Sequence, residues 1–340
     1  MQDIKDLNIE ELQVILKQWS APAYHARQIS GWIYEKSAKD FSAMSDLSAD
    51  LRLKLKDRFY IYNSRIEKAL TSFDGTQKFL IRLSDSSLIE AVIIPAEGRV
   101  TGCISSQVGC KYACKFCASG MLGFKRNLTC GEMLEELLRL REKHKLTHVV
   151  FMGTGEPLDN YTNVIKAIKA VNSPDGLNIG ARRITVSTCG IIPGMEKLAK
   201  EDLQIELSIS LHAADDKIRS VLMPVNKVYP IKRLMAACQE YIQKTDRQIT
   251  FEYVLIKGLN SDLQSAENLV KILKPLRLSK VNLIPSNPVK ESKVEPPGKL
   301  EILFFRDYLL KHGINVTLRK SRGQDIEAAC GQLRLRYEKK

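Results

Sequence analysis

The sequence predicts an α/β protein: a partial (β/α)6 barrel with a small N-terminal helical accessory domain and extra β-strands before the barrel. Three observations lead to this fold class. Apolar residues recur at helical spacing up to about residue 59, and short strand-like stretches separated by turn residues follow as far as residue 106. Strand-like and helical stretches then alternate towards the C-terminus, which is typical of βαβ units with a parallel sheet.

Residues 1–60 form the predicted helical domain. Apolar residues share one helical face over residues 9–16, and a second apolar series, residues 24–34, follows the break at Pro22. A third stretch, residues 47–59, combines leucines with a face of lysine and arginine. Acidic and basic residues nearly balance in this domain, so the net charge of the chain lies elsewhere.

Residues 61–100 form the predicted β-strand extension, because turn residues such as Asp74-Gly75 and Glu97-Gly98 interrupt its short strand-like stretches. Residues 101–340 form the predicted barrel core. Its apparent strands after residue 106 are 148–152, 184–187, 205–211, 249–256, 280–284 and 315–319, with amphipathic helical stretches such as 131–143, 160–171 and 231–244 between them. About six repeats are too few for an eightfold barrel, so a partial barrel fits better.

Composition narrows the class of protein. The chain has 340 residues, 44% hydrophobic and 27% charged, which is ordinary globular composition. Its 52 basic and 39 acidic residues leave a net charge of +13, and nucleic acid is the first candidate for an anionic partner. There is no apolar run of the ~18–20 residues that a membrane span needs, and residues 1–11 lack an apolar signal-peptide core. We therefore expect a cytoplasmic protein without membrane contact, in which clustered cysteines hold metal or do chemistry.

The strongest chemical signal is the segment Cys110-Lys111-Tyr112-Ala113-Cys114-Lys115-Phe116-Cys117. Three thiolates on one loop can hold a cubane iron–sulfur cluster, and an aromatic neighbour such as Phe116 can shield it from water. With three ligands, one iron keeps an open coordination position. The alternative is a structural zinc site completed by His144 or His148, although zinc modules usually show paired CxxC units.

The spacing of Cys110, Cys114 and Cys117 resembles the signature of the radical S-adenosylmethionine (SAM) superfamily, whose fold is a partial barrel. The resemblance implies a [4Fe–4S] cluster whose unique iron is chelated by the amino and carboxylate groups of SAM. The turn Gly153-Thr154-Gly155-Glu156-Pro157 resembles the superfamily segment that binds the SAM amino group, because its glycines permit close approach and Glu156 can accept from an ammonium. The other expected cofactor-binding residues, which follow successive strands, are Ser187, Ser210, Leu211, His212 and Asn287.

A second informative segment lies near the C-terminus. Asp325-Ile326 and Ala328-Ala329-Cys330-Gly331-Gln332-Leu333 resemble the hallmark of the RlmN/Cfr family of radical SAM RNA methyltransferases. Further similar segments are residues 103–107, 151–158, 182–183, 210–213, 223–224 and 282–288. The resemblance runs from about residue 21 to residue 333, which is nearly the whole chain.

This resemblance implies a mechanism for methylating an adenine ring carbon, which is not itself a nucleophile. Cys330 takes a methyl group from one SAM, and a 5′-deoxyadenosyl radical from a second SAM abstracts hydrogen from it, giving a protein–RNA crosslink. Cys103 matches the residue that resolves the crosslink and ends in a disulfide with Cys330. Glu90 matches the proton acceptor of the family. The other cysteines, namely Cys130, Cys189 and Cys238, are expected to be bystanders.

Within the family, the RlmN type methylates adenine C2 in 23S ribosomal RNA and an adenosine 3′ to the tRNA anticodon. The Cfr type methylates C8 and confers antibiotic resistance. Glu156-Pro157-Leu158 has the RlmN form, since the Cfr type commonly has alanine at the Pro157 position, so C2 is favoured. A non-catalytic iron–sulfur protein that only binds RNA is the alternative from another class, but it leaves Cys103 and Cys330 unexplained.

The implied partners are 23S rRNA, tRNA and an electron donor such as flavodoxin, and we expect a monomer. The helical domain of residues 1–60 is expected to add RNA contacts. Basic residues are expected to surround the mouth of the site and contact RNA phosphates; they are Lys125, Arg126, Arg182, Arg183, Arg319, Lys320, Arg322, Arg334 and Arg336.

Overall fold

The fold is given by a computed structural model that describes residues 1–121, 123–286, 295–319 and 322–326. Its N-terminal region is helical, as predicted. The elements there are β1 (Gln2–Asp3), α1 (Ile9–Gln18), α2 (His25–Tyr34), α3 (Ala49–Arg58) and β2 (Phe59–Tyr60). Asn8 and Glu11 form a capping box at the start of α1, and Ser48 caps α3 through the backbone N–H of Leu51. β1 and β2 pair in parallel and bring the two ends of this region together.

The predicted β-extension follows as an antiparallel meander. Its strands are β3 (Arg65–Thr71), β4 (Gln77–Arg82), β5 (Leu88–Ala96) and β6 (Arg99–Ile104). The turns fall at the predicted turn residues. β6 then pairs in parallel with the first strand of the barrel, so the extension and the barrel share one sheet.

A small ribbon follows β6. It consists of β7 (Gln107–Gly109) and β8 (Phe124–Asn127), with α4 (Ala118–Met121) between them. Gly109 has φ +79°, and a Cβ there would lie 1.8 Å from the carbonyl oxygen of Gly123. Only glycine fits this position, which fixes the start of the cysteine loop.

The barrel contains alternating helices and strands. In chain order they are α5 (Cys130–Arg141), β9 (His148–Phe151), α6 (Tyr161–Asn172), β10 (Ile184–Thr188), α7 (Ile192–Leu198), β11 (Glu206–Ser210), α8 (Asp216–Leu222), α9 (Ile231–Thr245), β12 (Ile249–Leu255), α10 (Leu263–Leu273), β13 (Ser279–Pro285), α11 (Lys299–Lys311) and β14 (Val316–Leu318). All six strands predicted after residue 106 are present as β9 to β14, which confirms the α/β partial-barrel fold class.

The main sheet has ten strands in the order β14-β13-β12-β11-β10-β9-β6-β5-β4-β3. Neighbouring strands from β6 to β14 are parallel, so their carboxyl ends meet at one edge, where α/β proteins place their sites. Alternate residues of the strands, such as Val149 and Phe151, pack in the main core beneath the helices. The opposite face, here called the inner face, carries a separate cluster that includes Cys103 and Val150.

The N-terminal helices share this main core. Leu16, Ile29 and Phe59 are fully buried in the same continuous apolar cluster as the barrel residues. Buried Lys5 adds a polar link, since its ammonium lies 2.8 Å from Asp3 and 3.4 Å from Glu135 of α5. No helix in the part of the chain that the structure describes is both long and apolar enough to span a bilayer.

Candidate active site

The three cysteines of the predicted cluster loop lie between β7 and α4, at the carboxyl end of the barrel. Cys110, Cys114 and Cys117 are all half-buried, and the loop is tied to the end of α8 by a 2.9 Å bond from Lys115 N to the carbonyl oxygen of Leu222. Burial raises the pKa of Cys110 to about 12 and raises that of Cys114 further, so these thiolates need a cationic partner. Three soft sulfur ligands on one loop suit iron.

The zinc alternative lacks support from the histidines. His148 begins β9 and pairs with Thr101, at the amino end of the barrel strands, whereas the cysteine loop is at the carboxyl end. The ring of His144 contacts the side-chain amide of Gln77 at 3.2 Å. In the described parts of the chain, no group of three or more His, Cys, Asp or Glu side chains is arranged to hold a single metal ion.

The predicted SAM-binding turn follows β9 and packs against β6 and β7. The carbonyl oxygen of Thr154 accepts from the backbone N–H groups of Ser106 and Gln107, at 2.9 and 3.1 Å. Gly155 has φ +106°, and a Cβ there would lie 2.5 Å from the Cβ of Gln107 and 2.8 Å from its backbone nitrogen. A side chain at Gly155 would therefore displace the turn.

Glu156 is buried and braces this turn against the end of β10. One carboxylate oxygen accepts from Leu158 N at 3.0 Å, and the other accepts from Cys189 N at 2.8 Å. Burial raises the pKa of Glu156, and these hydrogen bonds oppose that rise. Cys189, the expected bystander, lies at this strand end: its backbone N–H donates to Glu156, and its thiol is buried beside the same carboxylate. Its bystander role stays a prediction.

Two of the predicted strand-end residues, Ser187 and Ser210, lie at the carboxyl ends of β10 and β11. Register and alternation place Ser187 and Ser210 on the inner face. His212 has φ +56°, and its Nδ1 accepts from Val254 N at 3.1 Å. Burial, with a smaller contribution from the Arg219 charge, lowers the pKa of His212 to about 3, so the ring is neutral at physiological pH.

The cysteine loop contacts this strand end directly. The ring of Phe116 packs edge-on against that of His212, with 4.6 Å between centroids. Leu211 is buried, and its backbone N–H donates to the carbonyl oxygen of Glu252 at 3.0 Å. The loop and the segment 210–212 thus border one region, as expected of residues that share a cofactor. Asn287 lies outside the described residues.

Arg219, which the sequence analysis missed, organises these strand ends. It is fully buried on α8. Its guanidinium donates to the carbonyl oxygens of Leu211 (3.1 Å), Cys189 (2.9 Å) and Ser210 (3.2 Å), and to the side-chain oxygen of Asn226 (2.8 Å). No local pattern marks this arginine, because its role depends on three segments that meet only in the folded chain.

The inner face of the β-extension carries the predicted Glu90 and Cys103. Cys103 pairs with Val92 on β5, and Glu90 lies two residues before Val92, so Glu90 and Cys103 are diagonal neighbours on one face. Beside them on β4 lies Lys78, which no sequence pattern singles out. Its ammonium lies 3.3 Å from a carboxylate oxygen of Glu90, and both side chains are buried.

Cys330 lies outside the described residues, but the segment that leads to it is held by the β3–β4 turn. The Asp325 carboxylate accepts from Ser72 Oγ at 2.5 Å and from Phe73 N at 3.2 Å. In return, the backbone N–H of Gly323 donates to Asp74 at 2.9 Å. Four residues lie between Asp325 and Cys330 in the sequence.

The expected ring of basic residues is only partly present. The guanidinium of Arg126 forms two bonds to Glu132, at 2.7 and 2.8 Å, and one to Asp85 at 2.9 Å, so its charge is neutralised. The expectation for Arg182 and Arg183 is wrong, because they immediately precede β10 and so lie at the amino end of the barrel. Arg319 and Arg322 are exposed near the end of β14. Outside the described residues are Lys320, Arg334 and Arg336.

These residues fit a [4Fe–4S] cluster with bound SAM. The loop offers three thiols and no fourth neighbouring cysteine ligand in the motif, which leaves a position for the amino and carboxylate groups. In the described segments beside it, Ser106 Oγ and Thr154 Oγ1 are buried without a hydrogen-bond partner, so polar atoms are available to a ligand. The closely packed Gly155 turn supplies backbone atoms at the same edge.

Comparisons with known proteins identify the family of the chain. Residues 104–270 match the radical SAM superfamily, and residues 2–61 match the ribosomal RNA large subunit methyltransferase N-terminal domain. The chain is 43% identical to the probable dual-specificity RNA methyltransferase RlmN of Clostridium novyi (strain NT), covering 99% of each chain. It is 44% identical to the protein of the same name from Thermoanaerobacter sp. (strain X514), covering 100% of this chain and 99% of that one.

A solved structure also matches the chain over nearly its full length. The crystal structure of a radical SAM methyltransferase from Sphaerobacter thermophilus superposes with a TM-score of 0.94 at 43% identity, covering 98% of this chain and 99% of that one. Identity of this level over the full length, together with the cysteine loop and the strand-end geometry, shows the family. The chain belongs to the RlmN family of radical SAM RNA methyltransferases.

Proposed function

We propose that this methyltransferase modifies C2 of an adenosine in 23S rRNA and of the adenosine 3′ to the anticodon in tRNA. The observation that carries the proposal is the inner face of the sheet, on which Glu90 and Cys103 are diagonal neighbours. The names of the relatives, dual-specificity RNA methyltransferases, support two RNA substrates. Pro157 supports C2 rather than C8.

Cys110, Cys114 and Cys117 would hold the cluster, and the Gly155-Glu156 turn with Ser187, Ser210, Leu211, His212 and Asn287 would hold SAM. When bound and reduced by a donor such as flavodoxin, the cluster with SAM supplies a carbon-centred radical. Two SAM molecules would be used in each turnover, one for the methyl group and one for the radical. The neutral His212 suits this site, because it adds no positive charge beside a cationic ligand.

The residues of the chain would do the remaining chemistry. The Cys330 thiolate carries the methyl carbon that becomes bonded to the adenine ring. A Glu90 carboxylate oxygen accepts the proton from the substituted ring carbon, and the electron pair of the broken C–H bond stays on the adenine ring. The Cys103 thiolate then attacks the Cys330 sulfur. The disulfide forms as the sulfur–carbon bond breaks, and the electron pair of that bond moves to the methylene carbon, which takes a proton from solvent to become the methyl group of the released adenosine. The unpaired electron left on the crosslink by radical addition would pass to the cluster as a one-electron acceptor.

The domain boundaries belong to the same proposal. We assign RNA contact to residues 1–60, a structural β-extension carrying Glu90 to residues 61–100, and the radical SAM core to residues 101–340. The match of residues 2–61 to an RNA methyltransferase N-terminal domain supports the first boundary. Ribosomal and transfer RNA as substrates support a cytoplasmic location, and we assign a monomer as the acting species.

Anaerobic reconstitution with iron and sulfide, followed by incubation with SAM, reductant and RNA, tests the proposal. Nucleoside mass spectrometry should find 2-methyladenosine in both rRNA and tRNA. Methylation at C8 would overturn the C2 assignment, and a protein that forms no 5′-deoxyadenosine would be a non-catalytic RNA binder. Cys103→Ala should accumulate an RNA–protein crosslink, whereas a variant that turns over without one would exclude the resolving role.

A further inference from the structure

Lys78 is a fully buried lysine that the proposed chemistry does not use. It lies on β4, and its ammonium lies 3.3 Å from a carboxylate oxygen of Glu90 on β5, whose side chain is also almost fully buried. Burying two opposite charges costs several kcal/mol per ion before their attraction repays it, so such a pair is weak evidence for a role in stability. Its position on a functional face is the better explanation.

The register of the sheet places this pair beside the resolving cysteine. Lys78 pairs with Val92, and Val92 pairs with Cys103, so the three residues form one row across β4, β5 and β6. Val92 and Cys103 pack together on this face. Glu90 lies on the same face, one step nearer to the carboxyl end of β6, and β7 and the cysteine loop follow that end in the chain.

Two contacts hold different parts of Glu90, one its backbone and the other its side chain. Ser105 Oγ donates to the carbonyl oxygen of Glu90 at 2.7 Å, which fixes the backbone of β5 at this residue. Lys78 contacts the carboxylate itself. An ammonium at this distance limits the rotation of the Glu90 side chain. A proton acceptor on a buried face needs such a fixed orientation towards the proton that it takes.

We propose that Lys78 is a positioning residue, which holds the Glu90 carboxylate in place and aimed at the ring proton of the crosslinked adenosine. This inference rests on the proposed function, because it takes Glu90 as the proton acceptor. It concerns only the release of the crosslink. The steps that form the crosslink do not need Glu90, so they proceed without Lys78.

Single-turnover reactions of the reconstituted holoenzyme with RNA test the proposal. Lys78→Met should form 5′-deoxyadenosine and crosslinked RNA as the wild type does, but should release methylated RNA about 100-fold more slowly, the usual cost of a misplaced reacting group. The crosslink should therefore accumulate on a denaturing gel. Lys78→Arg keeps the charge and should restore release to within about tenfold of the wild type.

Lys5→Met is the matched control, because Lys5 is equally buried and also paired with carboxylates, but in the N-terminal region. It should lose stability without accumulating crosslink, which separates a general loss of stability from a local role. If Lys78→Met fails to fold, Lys78→Gln also removes the ammonium charge, and its polar side chain disturbs the packing less.

The outcomes separate the two proposals. Crosslink release by Lys78→Met or Lys78→Gln within twofold of the wild type would overturn the role of Lys78. Equal crosslink accumulation by Lys5→Met would overturn it as well. A wild-type enzyme that forms neither 5′-deoxyadenosine nor crosslink would instead overturn the proposed function.

Discussion

Replacement of Arg219 by methionine tests whether a single buried side chain holds the strand ends together. Methionine has a similar length and fills much of the same volume, so the change removes the guanidinium with little loss of packing. Three short hydrogen bonds disappear, to the carbonyl oxygens of Cys189 (2.9 Å) and Leu211 (3.1 Å) and to Asn226 (2.8 Å).

The magnitude follows from these acceptors. Each buried acceptor that loses its donor costs about 1–3 kcal/mol, which gives about 3–9 kcal/mol for three. Water that enters the vacated space reduces this sum, and breaking a buried charged contact typically costs about 3–5 kcal/mol. We expect Arg219→Met to lower the free energy of unfolding by about 3–5 kcal/mol. SAM affinity should fall about tenfold, because the Ser210 and Leu211 strand end loses its anchor.

Urea unfolding under anaerobic, reducing conditions measures the first effect, and equilibrium dialysis of the reconstituted holoenzyme with labelled SAM measures the second. Arg126→Met is the matched control. It removes an arginine that also forms several charged hydrogen bonds, but a partly exposed one, so it should cost about 1 kcal/mol or less. A loss below about 1 kcal/mol for Arg219→Met, with unchanged SAM binding, would refute the reasoning.

Three further predictions concern other parts of the site. Gly155→Ala should abolish measurable SAM binding in equilibrium dialysis, because its Cβ meets Gln107, whereas Gly98→Ala, also at positive φ but with no atom within 4 Å, should bind normally. The pKa of His212 is depressed to about 3, so the folded state binds fewer protons than the unfolded state between pH 3 and 6.5, and stability falls as pH falls through that range. Between pH 7 and 5.5, the free energy of unfolding measured in urea titrations should therefore fall by about 1 kcal/mol less in His212→Gln than in the wild type. An equal fall in both proteins would contradict the burial argument. Asp325→Asn weakens the hydrogen bonds that Asp325 accepts from Ser72 and Phe73 in the β3–β4 turn. Methylation of Cys330, measured by peptide mass spectrometry, should therefore slow about tenfold. The iron–sulfur content should be unchanged, which serves as the control.

The sequence was informative where function depends on local spacing. The cysteine loop and the Gly155 turn are contiguous segments, and the strand and helix periods predicted β9 to β14 because each period is local. Lys78 and Arg219 were not predictable in this way. Each is an isolated basic residue in the sequence, and its burial depends on register or on helix docking that only the folded chain reveals.

The correction at Arg182 and Arg183 has a physical cause. Arg182 and Arg183 lie next to a strand, but adjacency in sequence does not say at which end of the strand they lie in the barrel. Cys189 lies in a strand-end turn like many others, and its contact with Glu156 is a backbone N–H hydrogen bond from the neighbouring strand end, one βα unit away. Direction along the sheet and long-range backbone contacts are the information that the sequence patterns lack.

Because the extension and the barrel share one sheet, the number of residues in β5 is constrained independently of their identity. Lys78, Glu90 and Cys103 face the same side only because the pairings from β4 through β6 are in one register. Insertion or deletion of one residue in β5 would turn Glu90 towards the helices, since side chains alternate along a strand. Substitutions can be tolerated along β5. The number of residues between the turn at Ser86 and Val92, which pairs with Cys103, must stay constant, just as residue 90 must stay glutamate. Relatives that keep this chemistry should vary in length at the β4–β5 turn and not within the strand.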